Sequence, residues 1–189
     1  MRALSRITDE ILYNQYLEGE ENGLTKLMER YGNSLTFYIN GYLHDVNEAE
    51  DLMIEAFAYL SIKKPRIADG CFRAYLYKTA RNLALRLTMK NRLRRCFGFE
   101  DIDKEPESRT LIEEVVQTKE RNHILRMCME QLNPNYREAL YLVYFESMRH
   151  AEAAAVMRKS EKQVADLVYR GRNSLRTRLV QEGITNAEY

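Results

Sequence analysis

The chain has 189 residues, with 29 Lys and Arg against 28 Asp and Glu, 45% hydrophobic residues and only three prolines, which is typical of a helical protein of one medium or two small domains. No run of 18 apolar residues occurs and the beginning runs into acids, so we expect neither membrane insertion nor a signal peptide. Three widely spaced cysteines fit a reducing cytosol rather than a disulfide framework, and the absence of metal-ligand spacing predicts no metal.

Charge is sorted along the chain although the net charge is only +1. Residues 9–55 contain 11 acids against two bases, and residues 73–95 contain eight bases and no acid. Residues 100–120 contain eight acids against three bases, and residues 158–178 contain seven bases against two acids. Because Lys and Arg neutralise phosphates and release counterions, the two basic stretches predict nucleic-acid contacts. The alternative for each stretch is an ordinary solvated helix face.

Every periodic segment has helical spacing, so the predicted fold is all-α. We expect two small helical domains, residues 1–95 and 119–189, joined by a flexible acidic linker at residues 96–118. Two or three helices are predicted between residues 9 and 42, with breaks at Gly19 and Gly32. Asn47 is predicted to cap a helix over residues 48–62 that Pro65 ends, and a short loop follows over residues 63–71.

The helix predicted from residue 72 to about 90 has the clearest amphipathic pattern. Its apolar face consists of Phe72, Leu76, Ala80, Leu83 and Leu87. The opposite face is basic and aromatic, and we expect it to lie outside: Arg73, Tyr77, Lys78, Arg81, Asn82 and Arg86. Tyr75 and Tyr77 either pack at the rim of this helix or offer stacking surfaces for unpaired bases.

The second domain begins with predicted helices over residues 120–132 and 134–145, the latter capped by Asn133 with Pro134 at its first position. An Ala-rich helix over residues 150–157, a three-residue turn and a basic helix over residues 161–180 follow. The S-x-x-Q pattern of Ser160 and Gln163 is a capping box that fixes where this last helix begins. Its predicted inner face is Val164, Val168, Gly171, Leu175 and Leu179. The arrangement matches a helix-turn-helix, whose second helix presents its N-terminal turn to the major groove.

Three blocks, in order, resemble the sigma-70 family of transcription initiation factors. Residues 49–57, AEDLMIEAF, resemble the A-E-D-L-x-x-E-x-F signature of region 2, and residues 72–83 resemble its F-R-A-W-L-Y-x-I-A-R-N-L helix. Residues 132–145 and 169–172 resemble the opening and the Y-R-A-R ending of region 4. The short length, with only a linker between the domains, points to the extracytoplasmic-function (ECF) subgroup. This chain departs from the family in having Tyr75 where Trp is frequent, and Ala-Asp-Leu at residues 165–167 where a basic run is frequent.

The resemblance implies a cytoplasmic alternative sigma factor that is not an enzyme and uses no cofactor. Its implied partners are core RNA polymerase (the beta-prime coiled coil and the beta flap), promoter DNA and an anti-sigma factor. The implied polymerase-binding residues are Glu48, Asp51, Leu52, Glu55, Ala56 and Phe57. The alternative is that these acids form an ordinary acidic first turn and that Phe57 belongs to the core.

The resemblance also implies two DNA-binding sets. The −10 element would lie against the loop at residues 63–71 and the helix after it, where the loop could pocket an extruded base while cations hold the backbone. The implied −10 contacts are Lys63, Lys64, Arg66, Arg73, Tyr75, Tyr77, Lys78, Arg81 and Asn82. The −35 element would be read as duplex through the major groove. The implied −35 contacts are Arg158, Lys159, Ser160, Lys162, Gln163, Asp166, Arg170 and Arg172.

Two other classes of protein stay open on the residues alone. The first is a helix-turn-helix DNA-binding regulator that does not engage core polymerase, although such a protein needs neither the acidic helix nor the basic-aromatic one. The second is a helical adaptor without DNA contact, which would show no salt-dependent DNA binding. An enzyme is least supported, because the sequence offers no paired catalytic carboxylates, nucleophile with base or phosphate-cradling loop.

Overall fold

The computed structural model describes residues 7–20, 22–96 and 116–184. Throughout these ranges the regular structure is helical and no strand occurs, which confirms the predicted all-α class. The chain divides into two compact units, Met1–Arg109 and Thr110–Tyr189. Of the predicted linker, residues 97–115 lie outside the described residues.

The first unit is a bundle in which α2 contacts the three other helices. Its helices are α1 Asp9–Leu17, α2 Asn22–Leu43, α3 Val46–Lys63 and α4 Phe72–Cys96. Apolar side chains from all four helices are fully buried between them, among them Leu12, Leu27, Leu35, Ile39, Leu60, Phe72 and Leu76. This burial is the main stabilising term of the bundle. Helix α4 continues six residues beyond the predicted end at residue 90.

Two glycines of α2 have different surroundings. At Gly23 an added Cβ would lie 2.1 Å from the Leu12 carbonyl oxygen, so only glycine lets the backbones of α1 and α2 come this close. Gly32 lies inside α2, and the nearest atoms to a Cβ there belong to Met53 at 3.9 Å. The predicted break at Gly32 is therefore wrong, whereas Gly19 does follow the end of α1, with φ of +106°.

Helix α3 begins earlier than predicted because a different residue caps it. The Asp45 side chain accepts a hydrogen bond from the Glu48 amide at 3.0 Å, so Asp45 and not Asn47 is the cap. At the other end Lys64 adopts the left-handed conformation, with φ of +41°, and its amide donates to the Leu60 carbonyl at 3.0 Å. The helix thus ends at Lys63, and its cap Lys64 directly precedes Pro65.

The second unit packs three helices around its last one. Its elements are α5 Val116–Glu130, α6 Pro134–Leu140, a π-helical turn Tyr141–Phe145, α7 His150–Met157 and α8 Glu161–Gln181. Helix α8 contacts α5, α6 and α7. A Cβ at Gly171 would lie 3.2 Å from the Leu140 side chain, which explains the small residue where α8 crosses α6. Helix α5 begins three residues inside the predicted linker.

Local signals in this unit behave as predicted. Asn133 caps α6 by accepting a hydrogen bond from the Asn135 amide at 3.0 Å, with Pro134 at the first helical position. The Ala-rich helix α7 has the predicted bounds, and residues 158–160 form the turn to α8. No helix in the part of the chain that the structure describes is both long and apolar enough to cross a membrane.

Candidate nucleic-acid and protein interfaces

The α3–α4 loop, residues 64–71, is attached to helix α1. The Tyr13 hydroxyl donates to the Pro65 carbonyl oxygen at 2.9 Å. The Gly70 amide donates to Glu10 Oε1 at 3.0 Å. Sequence reasoning did not find these contacts, because the bonded residues lie 52 and 60 positions apart in the chain.

Most of the predicted −10 residues lie at the surface around this loop. Lys63, Lys64 and Arg66 are exposed. Five residues of α4 are half-buried: Arg73, Tyr75, Lys78, Arg81 and Asn82. Lys78 and Asn82 are one turn apart and so share a face. Tyr75 lies on that face too, whereas Arg73 lies on the opposite side of the helix, where its charge acts on Tyr31. We call the loop together with the face of Tyr75, Lys78 and Asn82 the α4 basic surface.

Tyr77 is not part of that surface, and its predicted role in stacking on bases is wrong. Its side chain has 0% exposure, and its hydroxyl lies 2.9 Å from Ser34 Oγ. Its ring centroid is 5.1 Å from that of Tyr38. The reason is that α4 packs against both α2 and α3, so its buried arc is wider than a single apolar stripe.

Tyr75 has a different environment from Tyr77. It is half-buried, and burial, followed by a hydrogen bond with Tyr59, raises the pKa of its hydroxyl. The ring therefore stays near the surface while its hydroxyl has a protein partner. Of the two tyrosines, Tyr75 is the one that can offer an aromatic surface to a ligand.

Helix α3 separates its predicted polymerase-binding residues into two groups. Asp51 and Glu55 are exposed and one turn apart, and Glu48 is half-buried. Leu52, Ala56 and Phe57 are buried at 7%, 0% and 3% exposure. The prediction for these three as contact residues is corrected, because they point into the bundle and hold α3 on it.

The exposed side of α3 also carries apolar residues that sequence reasoning did not single out. Ile54 is 52% exposed and Ile62 is 77% exposed. With Ala58 they form a row at four-residue spacing, and Tyr59 lies beside it. This spacing is visible in the sequence, but a helix with apolar residues on two sides gives no indication of which side is the buried one. We call Asp51, Ile54, Glu55 and Ile62 the α3 surface.

In the second unit the turn between α7 and α8 is built by local hydrogen bonds. Arg158 adopts the left-handed conformation, with φ of +54°, and ends α7. Ser160 Oγ accepts from the Gln163 amide at 3.2 Å, while Gln163 Oε1 accepts from the Ser160 amide at 2.8 Å. The predicted capping box is confirmed, and it fixes the start of α8.

Helix α8 presents the predicted −35 residues to solvent. Val164, Val168, Gly171 and Leu179 are buried and Leu175 is half-buried, which confirms the predicted inner face. On the outside lie the exposed residues Arg158, Ser160, Lys162, Gln163, Asp166, Arg170 and Arg172, with Lys159 half-buried beside them. We call this outer side the α8 surface.

Further exposed aromatic side chains lie outside the predicted sets. Tyr144 and Phe145 are exposed at the π-helical turn, and the Phe145 ring stacks on Tyr141 with centroids 5.5 Å apart. Burial raises the pKa of the Tyr141 hydroxyl. Tyr169 is exposed on α8 next to Arg170. Among the residues that the structure describes, no three His, Cys, Asp or Glu side chains come together in a metal-binding arrangement.

Two family sequence models match the chain. The model described as Sigma-70 region 2 matches residues 27–94, and the one described as Sigma-70, region 4 matches residues 122–175. Together the two segments cover well over half of the chain and include α3, α7 and most of α4 and α8. The chain therefore belongs to the sigma-70 family of RNA polymerase sigma factors.

Its relatives narrow this membership to the ECF subgroup. The chain is 25% identical over 167 residues to the ECF RNA polymerase sigma factor SigM of Bacillus subtilis (strain 168), covering 86% of this chain and 98% of that protein. It is 26% identical over 155 residues to the ECF RNA polymerase sigma factor SigE of Mycolicibacterium smegmatis. That match covers 82% of this chain but 59% of the relative, less than two thirds of its length. The RNA polymerase sigma-H factor of Pseudomonas aeruginosa is 26% identical, covering 91% of this chain and 94% of that protein.

Solved structures support the fold. CnrH, in complex with the cytosolic domain of CnrY, has a TM-score of 0.65 and 21% identity, covering 92% of this chain and 97% of that chain. The sigma factor RpoE, in complex with the anti-sigma factor NepR from Bartonella quintana, has a TM-score of 0.65 and 17% identity. It covers 82% of this chain and 96% of that chain.

Proposed function

We propose that this protein is an alternative sigma factor that binds core RNA polymerase, directs it to a limited set of promoters and opens the DNA there. The observation that carries this proposal is the presence of region 2 and region 4 in one chain, each with a basic surface. Such a protein acts by binding, so we propose no enzymatic activity of its own. We propose that it acts in the cytoplasm, where bacterial RNA polymerase and promoter DNA are found.

The α3 surface is the proposed site for core polymerase, on the beta-prime coiled coil. Two exposed carboxylates, Asp51 and Glu55, favour a basic partner and steer its approach. The exposed Ile54 and Ile62 give the same face apolar area that a partner can bury. The α3 surface thus offers a protein partner both negative charge and apolar area. The exposed Tyr144 and Phe145 of the second unit are proposed to contact the beta flap.

The α4 basic surface is the proposed site for the −10 element as unpaired DNA. Lys78 and Asn82 share one face of α4, and Arg66 is exposed on the loop before it. Cations along the helix would hold the phosphates while Tyr75 provides a stacking surface. The α3–α4 loop would receive a base taken out of the stack.

The α8 surface is the proposed reader of the −35 element. Lys162 and Arg170 are exposed and have the donors that guanine edges accept. Gln163 Oε1 is already bonded to the Ser160 amide, so its NH2 group is the part available to a base. Arg158, Lys159 and Arg172 are proposed phosphate contacts, and Asp166 could accept from a cytosine amino group.

An anti-sigma factor is the proposed regulator. Both solved structures described above are complexes, and in one of them the partner is named as an anti-sigma factor. The exposed apolar residues of α3 are area that such a protein could cover. A regulator bound there would compete directly with core polymerase.

The first test is co-elution of the protein with core RNA polymerase on size exclusion. Reversing two charges with Asp51→Lys and Glu55→Lys is expected to weaken this binding about 10-fold or more, because the basic partner loses two carboxylates and meets two lysines that repel it. The matched control is Glu18→Lys with Glu29→Lys, which makes the same charge change at exposed positions outside α3. Equal loss in both double variants would reject the α3 surface. Wild-type protein that runs alone but binds duplex DNA would instead be a helix-turn-helix regulator.

A further inference from the structure

Side chains of helix α1 bond to the backbone of the α3–α4 loop near each end of the loop. The Tyr13 hydroxyl bonds to the Pro65 carbonyl oxygen at 2.9 Å, and Glu10 Oε1 accepts from the Gly70 amide at 3.0 Å. Because both bonds use backbone atoms of the loop, side chains such as Arg66 stay exposed for a ligand. The two hydrogen bonds therefore fix the path of the loop backbone without covering its exposed side chains.

Tyr13 makes this contact from a buried position. Its side chain is 3% exposed, and its ring lies 5.2 Å from that of Phe72, the first residue of α4. Burial raises the pKa of Tyr13 to about 12. At neutral pH the hydroxyl is therefore protonated and remains a hydrogen-bond donor.

Helix α1 is itself firmly held on α2. The Leu12 side chain is 1% exposed, and Gly23 lets the two backbones come into direct contact. The Asp9 carboxylate accepts hydrogen bonds from both Arg30 and Tyr31 of α2. A loop bonded to α1 is thus bonded, through α2, to the core of the bundle.

A free loop loses conformational entropy when it closes on a ligand, whereas a loop already held in one path loses less. We propose that Glu10 and Tyr13 are positioning residues for promoter recognition, which hold the α3–α4 loop in its base-receiving conformation before DNA arrives. This inference rests on the proposed role of the loop in binding the −10 element. It adds helix α1, the first helix of the described chain, to the parts that determine promoter affinity.

The test uses the full chain bound to core polymerase. The probe is the single-stranded DNA most enriched by the wild-type holoenzyme from a randomised pool, compared with a scrambled sequence of the same composition. Tyr13→Phe and Glu10→Ala each remove one hydrogen bond and are expected to weaken probe binding about 2- to 10-fold. Binding of the scrambled strand and of core polymerase should stay as in the wild type, so the ratio of probe to scrambled affinity falls.

Two controls separate positioning from general stability. Tyr16→Phe removes a hydroxyl of the same helix that bonds to Ser61 in α3 rather than to the loop, and it should leave the ratio unchanged. Glu10→Gln keeps an oxygen that can accept from the Gly70 amide, and it should restore the ratio that Glu10→Ala loses. Hydrogen exchange of the Gly70 amide provides an independent readout, with faster exchange expected in Glu10→Ala.

Three results would overturn the inference. The first is unchanged probe selectivity although the Gly70 amide exchanges faster. The second is an equal loss of selectivity in Tyr16→Phe, and the third is a failure of Glu10→Gln to restore it. A wild-type protein that neither binds core polymerase nor enriches any DNA would contradict the proposed function itself. It would also remove the proposed role of the loop in binding the −10 element.

Discussion

Tyr77 and Lys78 are neighbours in α4 with opposite environments. Tyr77 is fully buried and hydrogen-bonded to Ser34, whereas Lys78 lies at the rim of the helix. A helical wheel drawn from the sequence puts both on the outer arc, because it contains only one stripe of apolar residues. The structure corrects this, since α2 and α3 both bury part of α4.

Substitutions at these two positions should separate stability from DNA binding. Tyr77→Phe removes one buried hydrogen bond, so the free energy of unfolding should fall by about 0.5–1.5 kcal/mol with little change in DNA affinity. Lys78→Ala should leave stability almost unchanged but weaken single-stranded DNA binding, and reduce the slope of log affinity against log salt concentration by about 0.7. Urea unfolding and binding titrations at several salt concentrations measure both quantities. If Tyr77→Phe left stability unchanged but weakened DNA binding, Tyr77 would belong to the α4 basic surface after all.

Local residue signals predicted the structure well where they act within one turn. Asn133 and Pro134 start α6, and Ser160 with Gln163 starts α8, because each cap bonds to an amide two or three residues away. The cap of α3 was predicted two residues late, since Asp45 and Asn47 both have suitable side chains. The burial of Leu52, Ala56 and Phe57 depends on the neighbours of α3, which a pattern within the helix does not identify.

At the scale of elements, two of the three glycines in α2 are present for different reasons. Gly23 is required by the contact with the Leu12 carbonyl, whereas Gly32 has room for a methyl group beside Met53. The sequence alone does not show which of the two glycines lies in a close contact between helices. A glycine inside a helix is tolerated when packing against other helices stabilises the whole element, and α2 contacts three of them.

Alanine at these two positions should therefore have effects of opposite sign. Gly23→Ala forces α1 away from α2 and should destabilise the first unit by about 1–3 kcal/mol. Gly32→Ala should stabilise it by about 0.5–1 kcal/mol, because alanine loses less backbone entropy in a helix. Thermal or urea unfolding of the two variants beside the wild type measures this. Two changes of the same sign would contradict the packing described for α1 and α2.

The attachment of the α3–α4 loop to α1 is another part of the candidate site that the sequence could not predict. Nothing local to Pro65 or Gly70 indicates a partner in residues 9–17, and such a pairing follows only from the folded bundle. The loop itself was predicted, because Pro65 and the Asp69–Gly70 pair are local turn signals. Local sequence signals thus predicted where the loop lies in the chain, but they did not predict its contacts with a distant helix.

At the scale of the whole molecule, charge is sorted between two units that each carry one basic surface. The net charge of +1 conceals this, because the acidic stretches nearly cancel the basic ones. Two weak DNA contacts joined in one chain bind more tightly together than either does alone, since the first raises the effective concentration of the second. The family match in both units is consistent with such a division of labour.

Independent contacts by the two units predict multiplicative effects of substitutions. Lys78→Ala in the first unit and Lys162→Ala in the second should each weaken binding of the holoenzyme to a promoter that it selects. In the double variant the two fold-changes should multiply, because the residues share no partner. Binding titrations of the four proteins to one promoter fragment measure this. A double variant no weaker than one of the singles would mean that one of the two lysines makes no DNA contact of its own.

The capping box of α8 has a consequence for how promoter preference can change. Gln163 both holds the start of the helix and is a proposed base contact, so its replacement would alter fold and specificity at once. Lys162 and Arg170 have no role in the cap and can vary without that cost. On the proposed −35 contacts, we expect promoter preference among homologues to diverge at the positions equivalent to Lys162 and Arg170, while Gln163 is constrained by the helix it begins.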